Sequence, residues 1–108
     1  MVLGANLTKR WGESVADPEY GDLVAALEEL SVDDLEHPDC WLENEDGWVI
    51  SAFGSGLVIL DRPTGEDGPC YLNAIPKEEV LRLWKLLRDG QVDEIRLSPW
   101  TRGRPQIA

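Results

Sequence analysis

Residues 40–75, CWLENEDGWVISAFGSGLVILDRPTGEDGPCYLNAI, constrain the fold of this 108-residue chain more than any other stretch. The stretch contains four short apolar runs, and turn residues separate them at positions 45–47, 54–56 and 63–69. Short β-rich runs broken by glycine-containing turns are typical of consecutive antiparallel hairpins. Because such a meander cannot bury a face by itself, we expect the flanking segments to supply helices that cover it.

Two segments outside the meander have helical periodicity. The first begins at Asp17-Pro18 or at Asp22, and its apolar face consists of Leu23, Val24, Leu27 and Leu30. The second covers residues 76–89, with Pro76 in the first turn and Gly90 placed to end it. Its buried stripe consists of Val80, Leu83, Trp84 and Leu87.

The remaining strands are predicted at the two ends of the chain. Residues 2–11 are compatible with an edge strand whose core side chains are Leu3, Ala5 and Leu7. Residues 94–100 predict a last strand with Ile95 and Leu97 inward and Pro99 at its end, followed by a frayed tail over 101–108. The order β-α-β-β-β-β-α-β predicts a single α+β domain over 1–108, in which two helices cover one mostly antiparallel sheet of five to six strands.

The run at residues 57–60 is apolar on both sides, which is typical of a central strand. If helices cover one face of the sheet, the second face of this strand needs cover as well. Tryptophan side chains, the chain termini or a partner protein are the three candidates for that cover.

Composition limits the class of protein. The chain has no apolar run of the roughly 18–20 residues that a membrane span requires. Its opening lacks the long apolar core of a signal peptide, and Cys40 and Cys70 are its only cysteines. We therefore expect a cytoplasmic protein, away from membranes, with a reduced cysteine pair, although both cysteines open strands and could be neighbours on the sheet.

The charge is distributed unevenly along the chain. The formal net charge is −11, and no Lys or Arg occurs between Arg10 and Arg62, an interval that holds 14 acidic residues. Such a field of one sign repels nucleic acids and anionic membranes. Two interpretations stay open: the acids form a solubilising surface, or they form a surface that meets a cationic partner.

The sequence contains no recognisable catalytic or metal-binding pattern. Its single histidine, His37, stands beside Pro38 in an acidic loop, and the two cysteines lack metal-ligand spacing. Phosphate-binding and nucleophile-elbow motifs are absent from the sequence. We expect a protein that is not an enzyme and that carries neither metal nor cofactor.

The acidic stretch also contains two tryptophans, which flank the turn at residues 45–47. Cross-strand packing of Trp41 on Trp48 is the ordinary interpretation, and an aromatic anchor for a partner is the functional one. The hypothetical binding surface is centred on Glu43, Glu45 and Asp46, with Trp41 or Trp48 beside them. Three further acids are expected near it on the adjoining loop: Asp33, Asp34 and Asp39.

The second half of the chain carries a resemblance. The meander leads into YLNAIP at residues 71–76, and then come an amphipathic helix, Gly90 and a segment that closes on Trp100. Over roughly residues 22–100 this resembles the small immunity proteins encoded beside bacterial polymorphic toxins, in particular the family often paired with nucleic-acid deaminase toxins.

The resemblance implies a non-enzymatic protein of the cytoplasm that binds a cognate toxin and blocks its active site. The partner would present a basic cleft, since enzymes that act on nucleic acids do so, and an acidic inhibitor suits such a cleft without binding nucleic acid itself. Two alternatives stay open. One is an acidic mimic of nucleic acid that inhibits another DNA- or RNA-binding protein, and the other is a small structural or ligand-binding domain.

Overall fold

The computed structural model of the protein describes residues 4–32, 34, 36–62, 65 and 68–103. Within them lie one antiparallel sheet of seven strands and three helices, which confirms the α+β class and slightly exceeds the predicted strand number. In chain order the elements are β1 (Asn6–Thr8), β2 (Ser14–Ala16), α1 (Tyr20–Glu29), β3 (Asp39–Glu43), β4 (Val49–Phe53), β5 (Val58–Asp61), β6 (Cys70–Leu72), α2 (Lys77–Arg88), α3 (Val92–Ile95) and β7 (Thr101–Arg102).

The strands are arranged in the order β2-β1-β3-β4-β5-β6-β7, and every neighbouring pair is antiparallel. The predicted meander is confirmed, since β3 to β6 follow one another both in sequence and in the sheet. β5 has a neighbour on each side, as the apolar run at residues 57–60 indicates.

The helices cover one face of this sheet. Successive side chains of a strand alternate between the two faces, and the buried strand residues fall on one of them. They are Leu7, Cys40, Leu42, Ile50, Ala52, Val58, Leu60 and Leu72. These residues form one core with the buried side chains of all three helices, so the described helices lie together on a single face.

Helix α2 is the centre of the helical layer and packs against α1, α3, β3 and β4. It follows Pro76 and ends at Arg88, with Asp89 as its C-cap, and its four predicted stripe residues are all buried. Trp84 is fully buried, and its indole Nε1 donates a hydrogen bond to the Ile50 carbonyl oxygen at 3.0 Å. That bond satisfies the only polar group of the side chain and joins the helix to the middle of the sheet.

The N-terminal segment differs from the single edge strand predicted over residues 2–11. It forms a hairpin in which β1 pairs with both β2 and β3, so that β2 is the edge strand. Ala5 and Leu7 are buried as predicted, whereas Leu3 lies outside the described residues. The pattern misses β2 because its three residues include one apolar side chain, Val15, apart from the small Ala16.

Helix α1 begins between its two predicted caps. Glu19 is the N-cap, and its N–H donates to the carboxylate of Asp22 at 2.9 Å. Asp17 does not cap the helix, because it lies two residues before the N-cap, and its N–H donates to the Ala5 carbonyl oxygen at 2.8 Å beside β1. The predicted apolar face is confirmed in part, since Leu23, Leu27 and Leu30 are buried and Val24 is half-buried.

The prediction of a strand over residues 94–100 is wrong. Part of that segment belongs to α3, where Ile95 is buried as expected, but Leu97 is 78% exposed instead of inward. Gly90 has a φ of 77°, and the next N–H, from Gln91, donates back to the Leu86 carbonyl oxygen at 2.8 Å. The chain therefore reverses into a further helical turn before a strand can start.

The strand that completes the sheet is β7, which pairs with β6. The start of the predicted frayed tail is ordered, since Thr101 and Arg102 are in the sheet and the Gly103 N–H donates to the Pro69 carbonyl oxygen at 2.8 Å. The rest of the predicted tail, residues 104–108, lies outside the described part of the chain.

The two cysteines are not neighbours on the sheet. Cys40 lies on β3 and Cys70 on β6, with β4 and β5 between them. Three strand spacings of about 4.8 Å separate them by roughly 14 Å, well beyond the roughly 4.4–6.8 Å between Cα atoms that a disulfide requires. Both are free thiols, and burial raises the pKa of Cys40 to about 12 and also raises the pKa of the half-buried Cys70.

We predict that Trp84→Ala lowers the free energy of unfolding by about 3–5 kcal/mol, because it removes a large buried ring and leaves a cavity. Trp84→Phe keeps most of the apolar volume and should cost less. Leu97→Ala is the control, since an equally apolar side chain is truncated where it is largely exposed. Urea titration measures all three, and a loss below about 1 kcal/mol for Trp84→Ala would contradict the described packing.

We also predict two free thiols in protein that is unfolded without reductant and kept from air. In the folded protein Cys40 should resist a thiol reagent at pH 8, because burial keeps it protonated, and Cys70 should react first. Cys70→Ala should then remove the faster reaction. Finding no thiol in the unfolded protein would overturn the prediction.

Candidate functional site

The face of the sheet that points away from the helices is the main candidate surface. Its members follow from the pairing register, because directly opposite residues share a face. We call the following set the open face: Asn6, Thr8, Asp39, Trp41, Glu43, Val49, Ser51, Phe53, Ile59, Asp61 and Tyr71. Glu43 is exposed and the others are half-buried, which is typical of side chains that cover one another but have no layer above them.

The centre of the open face is apolar and aromatic. Trp41, Ser51, Ile59 and Tyr71 are register partners in turn on four adjacent strands and form one row across the sheet. Phe53 and Val49 flank Ser51 along β4 on the same face. Three aromatic rings on paired strands form a rigid surface that loses little side-chain freedom when another molecule packs on it.

The charges of the open face are negative. Asp39, Glu43 and Asp61 belong to it, and they surround the apolar centre from β3 and β5. Among the residues of the seven described strands, the single Lys or Arg is Arg102. Arg102 pairs with Cys70, and Cys70 pairs with Leu60, which is buried on the helix side. Arg102 therefore lies on the helix side as well. The open face therefore combines an apolar centre with carboxylates.

The β3–β4 hairpin extends from one end of this face. The buried Asn44 stabilises its loop. The Asn44 side-chain oxygen accepts hydrogen bonds from the N–H groups of Asp46 and Trp48, each at 3.0 Å. Gly47 has a φ of 87°, the left-handed conformation that a three-residue hairpin loop requires. Glu45 and Asp46 are thus exposed at a tip that hydrogen bonds hold in one conformation.

Trp41 and Trp48 lie on opposite faces of the sheet. Trp41 belongs to the open face with Glu43, two residues further along β3, so the predicted grouping of these two residues is present. Trp48 opposes Asn44 and packs on the core instead, where the guanidinium carbons of Arg62 and Arg96 lie 5.4 and 6.0 Å from its ring centre. The two rings therefore do not pack on each other across the strands.

The predicted acids fall into two groups at the ends of β3. Glu43, Glu45 and Asp46 lie at the hairpin end, whereas Asp39 begins the strand, roughly 13 Å away at about 3.3 Å per residue. Asp34 belongs to the loop before Asp39. Asp33 lies outside the described residues.

Asp34 is held by its neighbours. Its carboxylate accepts a hydrogen bond from the Trp11 indole at 2.9 Å and lies 3.1 Å from Nδ1 of His37. The Trp11 bond is the main cause of the lowered pKa of Asp34. The loop itself is held by the buried Arg10, whose guanidinium donates to backbone carbonyl groups of Glu29, Val32, Asp34 and His37.

The pKa of Asp39 is shifted in the opposite direction from that of Asp34. Asp39 is half-buried on the open face, opposite Phe53 and next to Trp41, and burial raises its pKa. Within the described part of the chain no side chain donates a hydrogen bond to its carboxylate or forms an ion pair with it. A charge that is partly removed from water without a side-chain partner costs stability, and a cation from another molecule would offset that cost.

The structure also adds residues that the sequence analysis did not name for the site. Phe53, Val49, Ile59 and Tyr71 form most of the apolar centre. The sequence indicated only Ile59, through the apolar run at residues 57–60, which requires cover on its second face. Assigning the other three to the same face requires the strand register, which the sequence does not state.

The described residues were compared with two common arrangements, a cluster of metal ligands and a histidine paired with a nucleophile. No group of three or more potential metal ligands occurs among them. His37 interacts with Asp34, but no described serine, threonine or cysteine hydrogen-bonds to it. No helix in the same residues has the length and apolar character needed to cross a membrane.

Comparisons with known proteins do not assign this chain to a family. No family model, no curated protein and no solved structure matches it. The function must therefore be inferred from the open face and the hairpin beside it.

We predict that Asp39→Asn stabilises the fold at pH 7. Because the pKa of Asp39 is raised in the folded state, its contribution to stability is largest below the unfolded pKa and is lost as pH rises through the folded value. The variant should therefore unfold at higher urea than the parent at neutral pH, and the difference should vanish below pH 4.

Glu43→Gln is the matched control, since this carboxylate is exposed on the same strand. It should leave the urea midpoint unchanged. A destabilising Asp39→Asn would show instead that the Asp39 charge supports the fold.

Proposed function

We propose that the protein is a non-enzymatic immunity protein that binds the catalytic domain of a cognate toxin in the bacterial cytoplasm and blocks its active site. The observation that carries the proposal is the open face, with its aromatic centre, its carboxylates and its lack of strand-borne cations. A toxin that acts on nucleic acid, such as a deaminase, presents a basic cleft that complements this surface. The role requires neither a cofactor nor direct contact with nucleic acid.

The aromatic centre would supply most of the affinity. Trp41, Phe53 and Tyr71 are residue types that dominate the energy of protein interfaces when they become fully desolvated. They are half-buried on paired strands, so packing against a partner removes their remaining exposed area at a small cost in side-chain entropy. Their presence also distinguishes the surface from simple mimicry of nucleic acid, for which rows of charge would suffice.

The carboxylates would supply specificity and rate. Exposed acids such as Glu43 attract a basic partner over a distance of about a Debye length and accelerate encounter. Asp39 has the further property of being partly desolvated before binding, so pairing it with an Arg or Lys of the partner recovers free energy. Truncating a carboxylate in such a buried pair typically costs about 2–5 kcal/mol of binding.

The hairpin tip is suited to enter a cleft. Glu45 and Asp46 lie at its end, and the Asn44 side chain holds their backbone in one conformation. Two further contacts support the tip: the Gly4 N–H donates to the Glu45 carboxylate at 3.4 Å, and Arg62 Nε donates to the Asp46 carbonyl oxygen at 3.1 Å. The backbone of the tip would therefore lose little conformational entropy on binding the partner.

The test uses the product of the neighbouring gene, which the proposal expects to contain the toxin domain. Changing Glu43, Glu45 and Asp46 to Lys should weaken its binding by orders of magnitude, slow its association and flatten the salt dependence of the association rate. The matched control changes Glu78, Asp93 and Glu94, which are exposed on the helical side, to Lys. Both variants move the net charge from −11 to −5, since three substitutions add two charges each, so they are matched in net charge.

Binding is measured by surface-based kinetics and protection by growth of cells that express the toxin. Equal losses in both variants would attribute the effect to net charge and contradict a localised site. If the hairpin variant binds and protects as before while Trp41→Ala does not, the site lies at the centre of the open face. If neither the hairpin variant nor Trp41→Ala impairs protection, or the parent does not bind this toxin, the proposal fails.

A further inference from the structure

A cavity lies on the opposite side of the sheet from the open face. It has a volume of about 270 Å³ and lies between the segment that links α3 to β7 and the helix-facing side of β5 and β6. The side chains of interest are Trp48, Trp100, Leu60, Cys70, Arg96 and Arg102. We call it the tryptophan pocket. Its volume is below the roughly 300–1,000 Å³ of sites for drug-sized ligands, so it suits a smaller molecule.

The walls of the tryptophan pocket are held in place. The Trp100 indole Nε1 donates a hydrogen bond to the Ile95 carbonyl oxygen at 2.8 Å. Trp48 is fixed at its backbone by Asn44 and at its ring by two guanidinium groups. Two indoles that are already oriented provide flat apolar surface for a planar ring without a large ordering cost.

Positive charge is concentrated at the same place. Arg96 and Arg102 line the pocket, and Arg62 lies over the Trp48 ring. Three of the ten Lys and Arg residues of a chain with a net charge of −11 therefore gather around one cavity. Arg102 forms no ion pair with another described residue, and a guanidinium at a partly enclosed site binds carboxylate or phosphate through charge-assisted hydrogen bonds.

The floor of the pocket argues against covalent chemistry. Cys70 is half-buried and its Sγ lies 3.8 Å from the Leu60 carbonyl oxygen. Burial raises the pKa of this thiol despite the opposing effect of Arg102 and Arg96, so the thiolate that a nucleophile requires is disfavoured at neutral pH. The pocket therefore has the properties of a binding site and not of a reaction centre.

We propose that the tryptophan pocket binds a small planar aromatic anion, that is, a single ring bearing a carboxylate or a phosphate group. The ring packs on Trp48 and Trp100, and the acid group is held by Arg96 and Arg102. The pocket lies on the other side of the sheet from the open face, so a partner on that face would leave it accessible, whereas the hairpin tip adjoins the pocket through Trp48 and Arg62.

The experiment follows the indole N–H signals of Trp48 and Trp100 by two-dimensional NMR, assigned with Trp→Phe variants. Four probes separate the contribution of the aromatic ring from that of the anionic group. Benzoate and phenyl phosphate carry both a ring and an anionic group, benzamide lacks the charge, and inorganic phosphate lacks the ring. The signal of Trp84, which is buried in the core, serves as an internal control for an intact fold.

We expect saturable shifts of both pocket indoles with one or both aromatic anions, and at least tenfold weaker binding of benzamide and of inorganic phosphate. The stronger of the two anions identifies the acid group. Arg102→Gln should weaken binding at least tenfold, Arg102→Lys should weaken it less, and Lys85→Gln on the exposed side of α2 should leave it unchanged.

Three outcomes would overturn the inference. They are linear shifts without saturation, equal binding of the charged and uncharged rings, and unaltered binding in the Arg102→Gln variant with its Trp84 signal in place. None of these depends on whether the protein binds a toxin, so the two proposals can fail separately.

Discussion

The architecture depends on one constraint: a sheet of seven strands receives its helical layer on one side only. Alternation along each strand then divides the side chains into two populations with different environments. One population packs with α2 and its buried Trp84, whose bond to Ile50 joins the helix to the middle of the sheet. The other remains half-buried, because strand neighbours cover it partly and no described helix lies above it. The candidate functions follow from this asymmetry.

The same alternation separates charges of opposite sign across the sheet. On the open face Asp39 and Glu43 surround aromatic side chains, whereas on the helix side Arg96 and Arg102 surround two indoles. The sheet itself lies between these groups, so the acids and the arginines belong to different surfaces. A strongly acidic chain can in this way retain a local site for an anion. It can also retain an uninterrupted acidic face for a basic partner.

Much of the fold follows from local pattern. The meander, helix α2 with Pro76 before it and Gly90 after it, and the core stripe of that helix were all predictable, because turn chemistry and periodicity act over a few residues. The two ends of the chain were less predictable. β2 and β7 are very short strands whose existence depends on main-chain bonds to β1 and β6, and such pairing leaves almost no hydrophobic pattern. The segment after Gly90 resembled a strand, yet packing of Ile95 and Trp100 favoured a helical turn.

The sequence by itself determined the acidic character of residues 11–61, the hairpin loops and the identity of most core residues, since composition and local periodicity are properties of the chain. The tertiary structure alone decided which of these residues meet. It placed Trp41 on the open face and Trp48 among arginines, although both flank the same turn, because the three-residue loop pairs residues of equal parity and an odd-numbered and an even-numbered side chain then lie on opposite faces. It also gathered Trp48, Trp100 and Arg102 from distant positions. Strand register and packing are non-local, and pairing across a sheet establishes them only when the whole chain has folded.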